Sequence, residues 1–171
     1  MSPRLLRHPV AHAAAVDPAK VLREFFDGQD SFWFDDANGW SVIGTGTRWM
    51  PTGAVLPALA EVEAEWRADP LVPADESAGE GGPPPFVPGL VGWVGYGLAR
   101  ETLGETGSAA SSHPDSAFLQ VDRAIAVGPR SGSDGRRRVE LLAVGESWTE
   151  AGLGEWRDRT ESRLQHLAAA S

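Results

Sequence analysis

The sequence predicts an α+β fold, a mostly antiparallel sheet with packed helices. An Asn-Gly hairpin signal, a second strand pair joined by a Gly/Ser/Arg-rich turn, and amphipathic helical stretches near both ends carry that expectation. Strands and helices do not alternate regularly, which argues against a parallel βαβ sheet. Residues 1 to 16 read as one extended segment or a partly loose one. Asp17-Pro18 then reads as a helix start, with Asp17 as N-cap and Pro18 where a missing N–H costs nothing. Val21, Leu22, Phe25 and Phe26 give this helix one apolar face, and Gly28 ends it.

The stretch SFWFDDANGWSVIGTG reads as a hairpin, with Asn38-Gly39 at the turn and Trp40, Val42 and Ile43 on the return strand. Leu56, Leu59, Val62 and Trp66 fall near one face of a helix from about residue 53 to 67. Residues 68 to 88 form a Pro/Gly/Glu-rich segment without periodicity, and residues 104 to 115 another; both are expected as loops. Phe118 to Val127 and Val139 to Val144 are strand candidates, and Trp148 to Leu167 is a final amphipathic helix.

Composition narrows the function. At 171 residues, 42% hydrophobic and 23% charged, the chain suits one globular domain with a real core. Acidic side chains outnumber basic ones 24 to 15, for a formal charge of −9, a field that repels nucleic acid and anionic membrane. With no cysteine, disulfides, Cys-ligated zinc and a thiol nucleophile are excluded. No apolar run approaches the roughly 18 residues that span a bilayer, and Arg4 and Arg7 precede no signal-peptide core. The expected setting is cytoplasmic. The run Arg136-Arg137-Arg138 is expected as a solvated hairpin tip.

The stretch PPPFVPGLVGWVGYGLARE invites a phosphate-loop reading and fails it. A P-loop needs Lys and Ser/Thr after its last glycine, whereas Lys20 is the only lysine in the chain. The order G-x-x-G-x-x-G-x-G, with Trp93 and Tyr96 in the gaps, is no dinucleotide fingerprint either. A loop, a core strand and a helical turn fit better, with glycines where another backbone or a large ring packs directly on the strand. His8 and His12 stand four apart, but Pro9 between them and the lack of a nearby carboxylate favour a solvated pair over a metal site. His113 and His166 stand alone, and no serine occupies a nucleophile-elbow context. Asp35-Asp36, at the end of an aromatic strand, suits either a ligand's ammonium group or turn capping. On residue types alone the turn is preferred.

Three segments in order resemble the N-terminal region of the component I chorismate-utilising enzymes, aminodeoxychorismate synthase and anthranilate synthase. They are SFWFDDANGWSVIGTG, PPPFVPGLVGWVGYGLARE and HPDSAFLQVDRAIAVGPR. The glycine stretch is the most specific of the three. The resemblance implies half of that family's α/β sandwich, with the chorismate- and Mg²⁺-binding catalytic domain following where this sequence stops. The expectation is one domain, residues 1–171: a fragment or separately encoded N-terminal half with no catalytic residues and no cofactor or metal of its own. Its implied partners are the chorismate-binding catalytic domain and a glutamine amidotransferase subunit.

By position, Phe34, Asp35 and Asp36 match the family's tryptophan-pocket motif, and Trp40 and Ser41 match its next strand. Asp36 stands where the family usually has Ser, and Gly97 where it usually has Asp. The carboxylate at 36 would favour a ligand's ammonium group and repel its carboxylate. The FWFDD form leans toward aminodeoxychorismate synthase over anthranilate synthase; a stand-alone aromatic amino acid module and a remnant without function are the rivals.

Overall fold

The hairpin forms as its sequence predicts. In a computed structural model, which describes residues 3–11, 13, 16–51, 53–71, 84–98, 103, 114–131, 136–150 and 152–170, β2 (Ser31–Asp35) pairs antiparallel with β3 (Ser41–Trp49). Asp36 N–H donates to Trp40 C=O across the turn at 2.9 Å, and Gly39 takes φ +83°, a left-handed conformation that suits glycine. β5 (Ser116–Ser131) runs antiparallel to β3 and is the longest strand described. On its other side it pairs first with β4 (Leu90–Val94) and then with β6 (Arg136–Gly145). β1 (Arg4–Pro9) pairs antiparallel with β6 and completes the order β1-β6-β5-β3-β2, with β4 joined to β5 alone. The register slips by one residue at Val121–Asp122 and again at Gly128–Pro129, both extra residues lying in β5.

Helices lie on one face. α1 (Pro18–Phe26) starts as expected: the Asp17 carboxylate accepts from Ala19 N–H at 2.8 Å. α3 (Leu153–Ala169) closes over the same face, and Arg163 reaches across to α1, its guanidinium 4.2 Å from the Phe25 ring centroid. Between helices and sheet lies the main core, where Ile43, Ile125, Leu141 and Leu164 have no solvent exposure, and Val21 of α1 packs on it. The opposite face carries a second core of Phe32, Trp40, Val42, Ala124, Ala126 and Leu142, with Phe86 packed against it. α2 (Val55–Ala68) buries only Val55 and lies at the periphery; its Trp66 ring rests on Gly89.

Four expectations need correction. The glycine stretch is an edge strand and not a core strand, because among the described residues β4 is bonded on one side only, and it leaves Trp93 and Val94 exposed. The expected close approaches hold, though: a Cβ at Gly92 would meet Phe118 Cδ1 at 2.7 Å, and one at Gly89 would meet the Trp66 ring at 2.9 Å. Trp148 lies ahead of α3, in a turn where it stacks on Trp156 at 6.3 Å. The arginine run is not simply solvated, since Arg138 is drawn to the buried Glu140, with Nε 2.5 Å from Oε1. His8, expected as one of a solvated pair, is half-buried and bonds Glu161 of α3 at 2.9 Å. His12, His113, residues 72–83 and 104–113, and the helical turn beyond Leu98 lie outside the described residues. No helix among the described residues is long and apolar enough to cross a membrane.

Candidate functional site

The hairpin, the glycine stretch and the start of β5 meet at one end of the sheet and leave a cleft of about 850 Å³ between them. Arg48 lies opposite Leu119, Leu119 opposite Val91, and Ala117 opposite Trp93, so all these side chains share the face of the second core. Phe32 and Phe34, two residues apart on β2, reach the same face, and their ring centroids lie 5.4 Å apart. Gly44 makes this possible: the Phe32 ring lies where a Cβ at 44 would be 2.8 Å from Cε1. On its other side Phe32 stacks on Phe86, at 5.5 Å and 27°.

The cleft is apolar and its rim is uncovered. Phe34 is 48% exposed, Trp93 46%, Trp33 40% and Met50 70%. Scattered exposed hydrophobics are ordinary, but several around one concavity mark a surface that suits an apolar partner or ligand. Charge at the rim is internally matched. Arg48 grips Asp30 with two bonds, Nε to Oδ2 at 2.5 Å and Nη2 to Oδ1 at 2.9 Å. That hydrogen bond from Arg48 holds the Asp30 carboxyl below its ordinary value and raises the Arg48 guanidinium above its own.

Of the five residues singled out by sequence, only Phe34 lines the cleft. Asp35 and Ser41 are cross-strand partners on the helix-bearing face, joined by Ser41 Oγ–H donating to Asp35 Oδ1 at 2.6 Å. The same oxygen accepts from Trp33 Nε1–H at 2.7 Å. Asp36 is a turn cap: its Oδ1 accepts from Asn38 N–H at 3.0 Å and Trp40 N–H at 2.7 Å, and its Oδ2 from Asn38 Nδ2 at 3.0 Å. Trp40 is buried, its ring over Gly128. The two carboxylates therefore serve the hairpin, each bonded by local donors, and the five side chains do not converge. Residues that sequence reasoning missed are Met50, Arg48 with Asp30, Trp93 and Phe118. A bulky Trp93 among glycines was the one local sign of them.

A second polar cluster lies under the sheet's other end. Glu140, 1% exposed, receives Arg7 Nε at 2.9 Å and Nη2 at 2.6 Å on Oε2, with Arg138 against Oε1. Both arginines come from sheet strands, so the cluster ties β1 to β6; among the described residues Oε1 has the Arg138 charge against it but accepts no hydrogen bond. Among the described residues no group of three or more His, Asp or Glu side chains is placed to hold a metal ion. Compared with models of known protein families, the chain matches none.

Proposed function

We propose that this chain is the non-catalytic N-terminal domain, or separately encoded half, of an aminodeoxychorismate synthase component I. It would support the conversion of chorismate and glutamine-derived ammonia to 4-amino-4-deoxychorismate, on the way to p-aminobenzoate and folate in the cytoplasm. The observation that carries the reading is a convergence. The three segments on which the resemblance rests each supply a wall of one apolar cleft: Phe32–Phe34, Val91–Trp93 and Pro114–Leu119. In this role the cleft is where the chorismate-binding domain seats, with the glutamine amidotransferase completing the assembly and Mg²⁺ held by the catalytic domain.

The test mixes the purified chain with the chorismate-binding domain and glutaminase of such an enzyme. A stable complex on size-exclusion chromatography and a rise in turnover are expected. Trp93→Glu should weaken the complex at least tenfold, about 1.4 kcal/mol, while leaving the melting temperature of the isolated chain unchanged. No complex and no effect on turnover would remove the reading. If the chain instead raises turnover with the anthranilate synthase catalytic domain alone, the sister enzyme is its home.

A stand-alone aromatic amino acid module is favoured by one feature, the cleft's size and aromatic walls, which suit a small ligand. Calorimetry with tryptophan separates the two. Heat that disappears in Phe34→Ala supports the module, and silence at millimolar tryptophan removes it.

A further inference from the structure

β2 is an outer strand of the sheet, and among the described residues no strand pairs with its free side. The direction of its backbone groups follows from the turn. Asp36 N–H bonds Trp40 C=O, so ladder alternation makes Phe34 and Phe32 the bonded partners of Val42 and Gly44. The N–H and C=O groups of Ser31, Trp33 and Asp35 therefore point outward. A row of such groups is a template for another strand.

The opposite edge is defended. β1 is bracketed by Pro3 and Pro9 and carries Arg4, Arg7 and His8, the proline and charge that natural edges use against pairing. β2 has no proline, no lysine and no bulge. Its one charge, Asp35, is already bound by Trp33 and Ser41. Exposed rings stand on both faces, Trp33 on one and Phe34 on the other.

The pattern of the strand says what covers it. S-F-W-F-D is symmetric about Trp33: polar, Phe, Trp, Phe, polar. A two-fold interface needs a patch that complements itself, and this one does. We propose that β2 pairs antiparallel with β2 of a second copy of this chain, about a two-fold axis at Trp33. In that register Trp33 meets its own counterpart, Phe32 meets the second copy's Phe34, and the Ser31 hydroxyl meets the second copy's Asp35 carboxylate. Each is a favourable cross-strand pair. At the ends Asp30 falls opposite the second copy's Asp36. Neither arrives bare, since Asp30 is paired with Arg48 and Asp36 with its turn amides. The inference needs only the edge of β2 and stands apart from the docking role proposed above.

Sedimentation velocity of the full chain over a concentration series should show a weak, reversible dimer, as a small strand-to-strand contact gives. The chain has no cysteine, so a single introduced one reports the register. Trp33→Cys places two thiols directly opposite, about 5.5 Å apart between Cα atoms and within disulfide reach. Phe34→Cys leaves its two copies on a diagonal of about 7–8 Å, at the limit of that reach, and should cross-link at least about tenfold more slowly. Trp33→Pro removes an outward N–H without touching the β2–β3 ladder and should abolish the dimer while preserving the circular dichroism spectrum. Trp33→Lys repeats that test if the proline variant does not fold. The proposal is overturned by a monomer at every concentration, by equal cross-linking of the two cysteine variants, or by a dimer that persists in folded Trp33→Pro or Trp33→Lys.

Discussion

Glu140 shows how much of this fold rests on single side chains. Burying an isolated carboxylate costs several kcal/mol, so a 1% exposed glutamate must be matched by charge and hydrogen bonds. Arg7 from β1 supplies charge and two hydrogen bonds to Oε2, and Arg138 from its own strand supplies charge at Oε1. Glu140→Gln leaves both guanidinium groups without their anion and should lower unfolding stability by about 2–4 kcal/mol in urea titrations. Replacing all three by Leu or Met should recover most of that loss, because apolar groups of similar volume need no partners. Asp30 makes a contrasting case at the surface. Its folded-state carboxyl lies below its ordinary value of 3.8 because Arg48 is hydrogen-bonded to it. The pair's contribution is therefore present above the unfolded-state value and disappears as pH falls through the folded one. A ¹³C carboxyl titration should show Asp30 titrating below 3.8, and Arg48→Gln should return it to that value. At an exposed pair the accompanying change in melting temperature should be slight.

At the scale of elements, Gly44 decides whether the hairpin can wall a cleft. A Cβ there would lie 2.8 Å from the Phe32 ring and 2.9 Å from Arg123 O, so neither β2 nor β5 could keep its place. Gly44→Val should destabilise the fold by about 2–3 kcal/mol and, in the same sample, increase dye binding as Phe32 is displaced. Calorimetric melting with an apolar fluorophore measures both. The hairpin, α1 and the β5–β6 pair were legible because their signals are local: alternation, an N-cap, a glycine turn. The exposure of β4 was not, since a short apolar run reads alike whether paired on one side or two. That outcome depends on β5 being long enough to serve β4 and β6 in succession, a non-local fact. The cleft was only partly legible for the same reason, because Arg48, Met50, Trp93 and Phe118 converge from distant segments. One available sign was overlooked: Phe34 and Asp35 are adjacent on a strand and so must face opposite sides.

Across the whole molecule, helices cover one face, while at one end of the other an apolar cleft stays open beside an unguarded edge. A formal charge of −9 opposes association through such a surface, because like charges repel at distance. The pairing of β1 with β6 carries a different consequence, one of timing. The Arg7–Glu140 bonds join residues 133 positions apart, and His8–Glu161 residues 153 apart. During synthesis β1 leaves the ribosome long before the strand it bonds. Pro3, Arg4, Arg7 and Pro9 disfavour wrong strand pairing in that interval, and β1 can take its place in the sheet only after β6 has emerged.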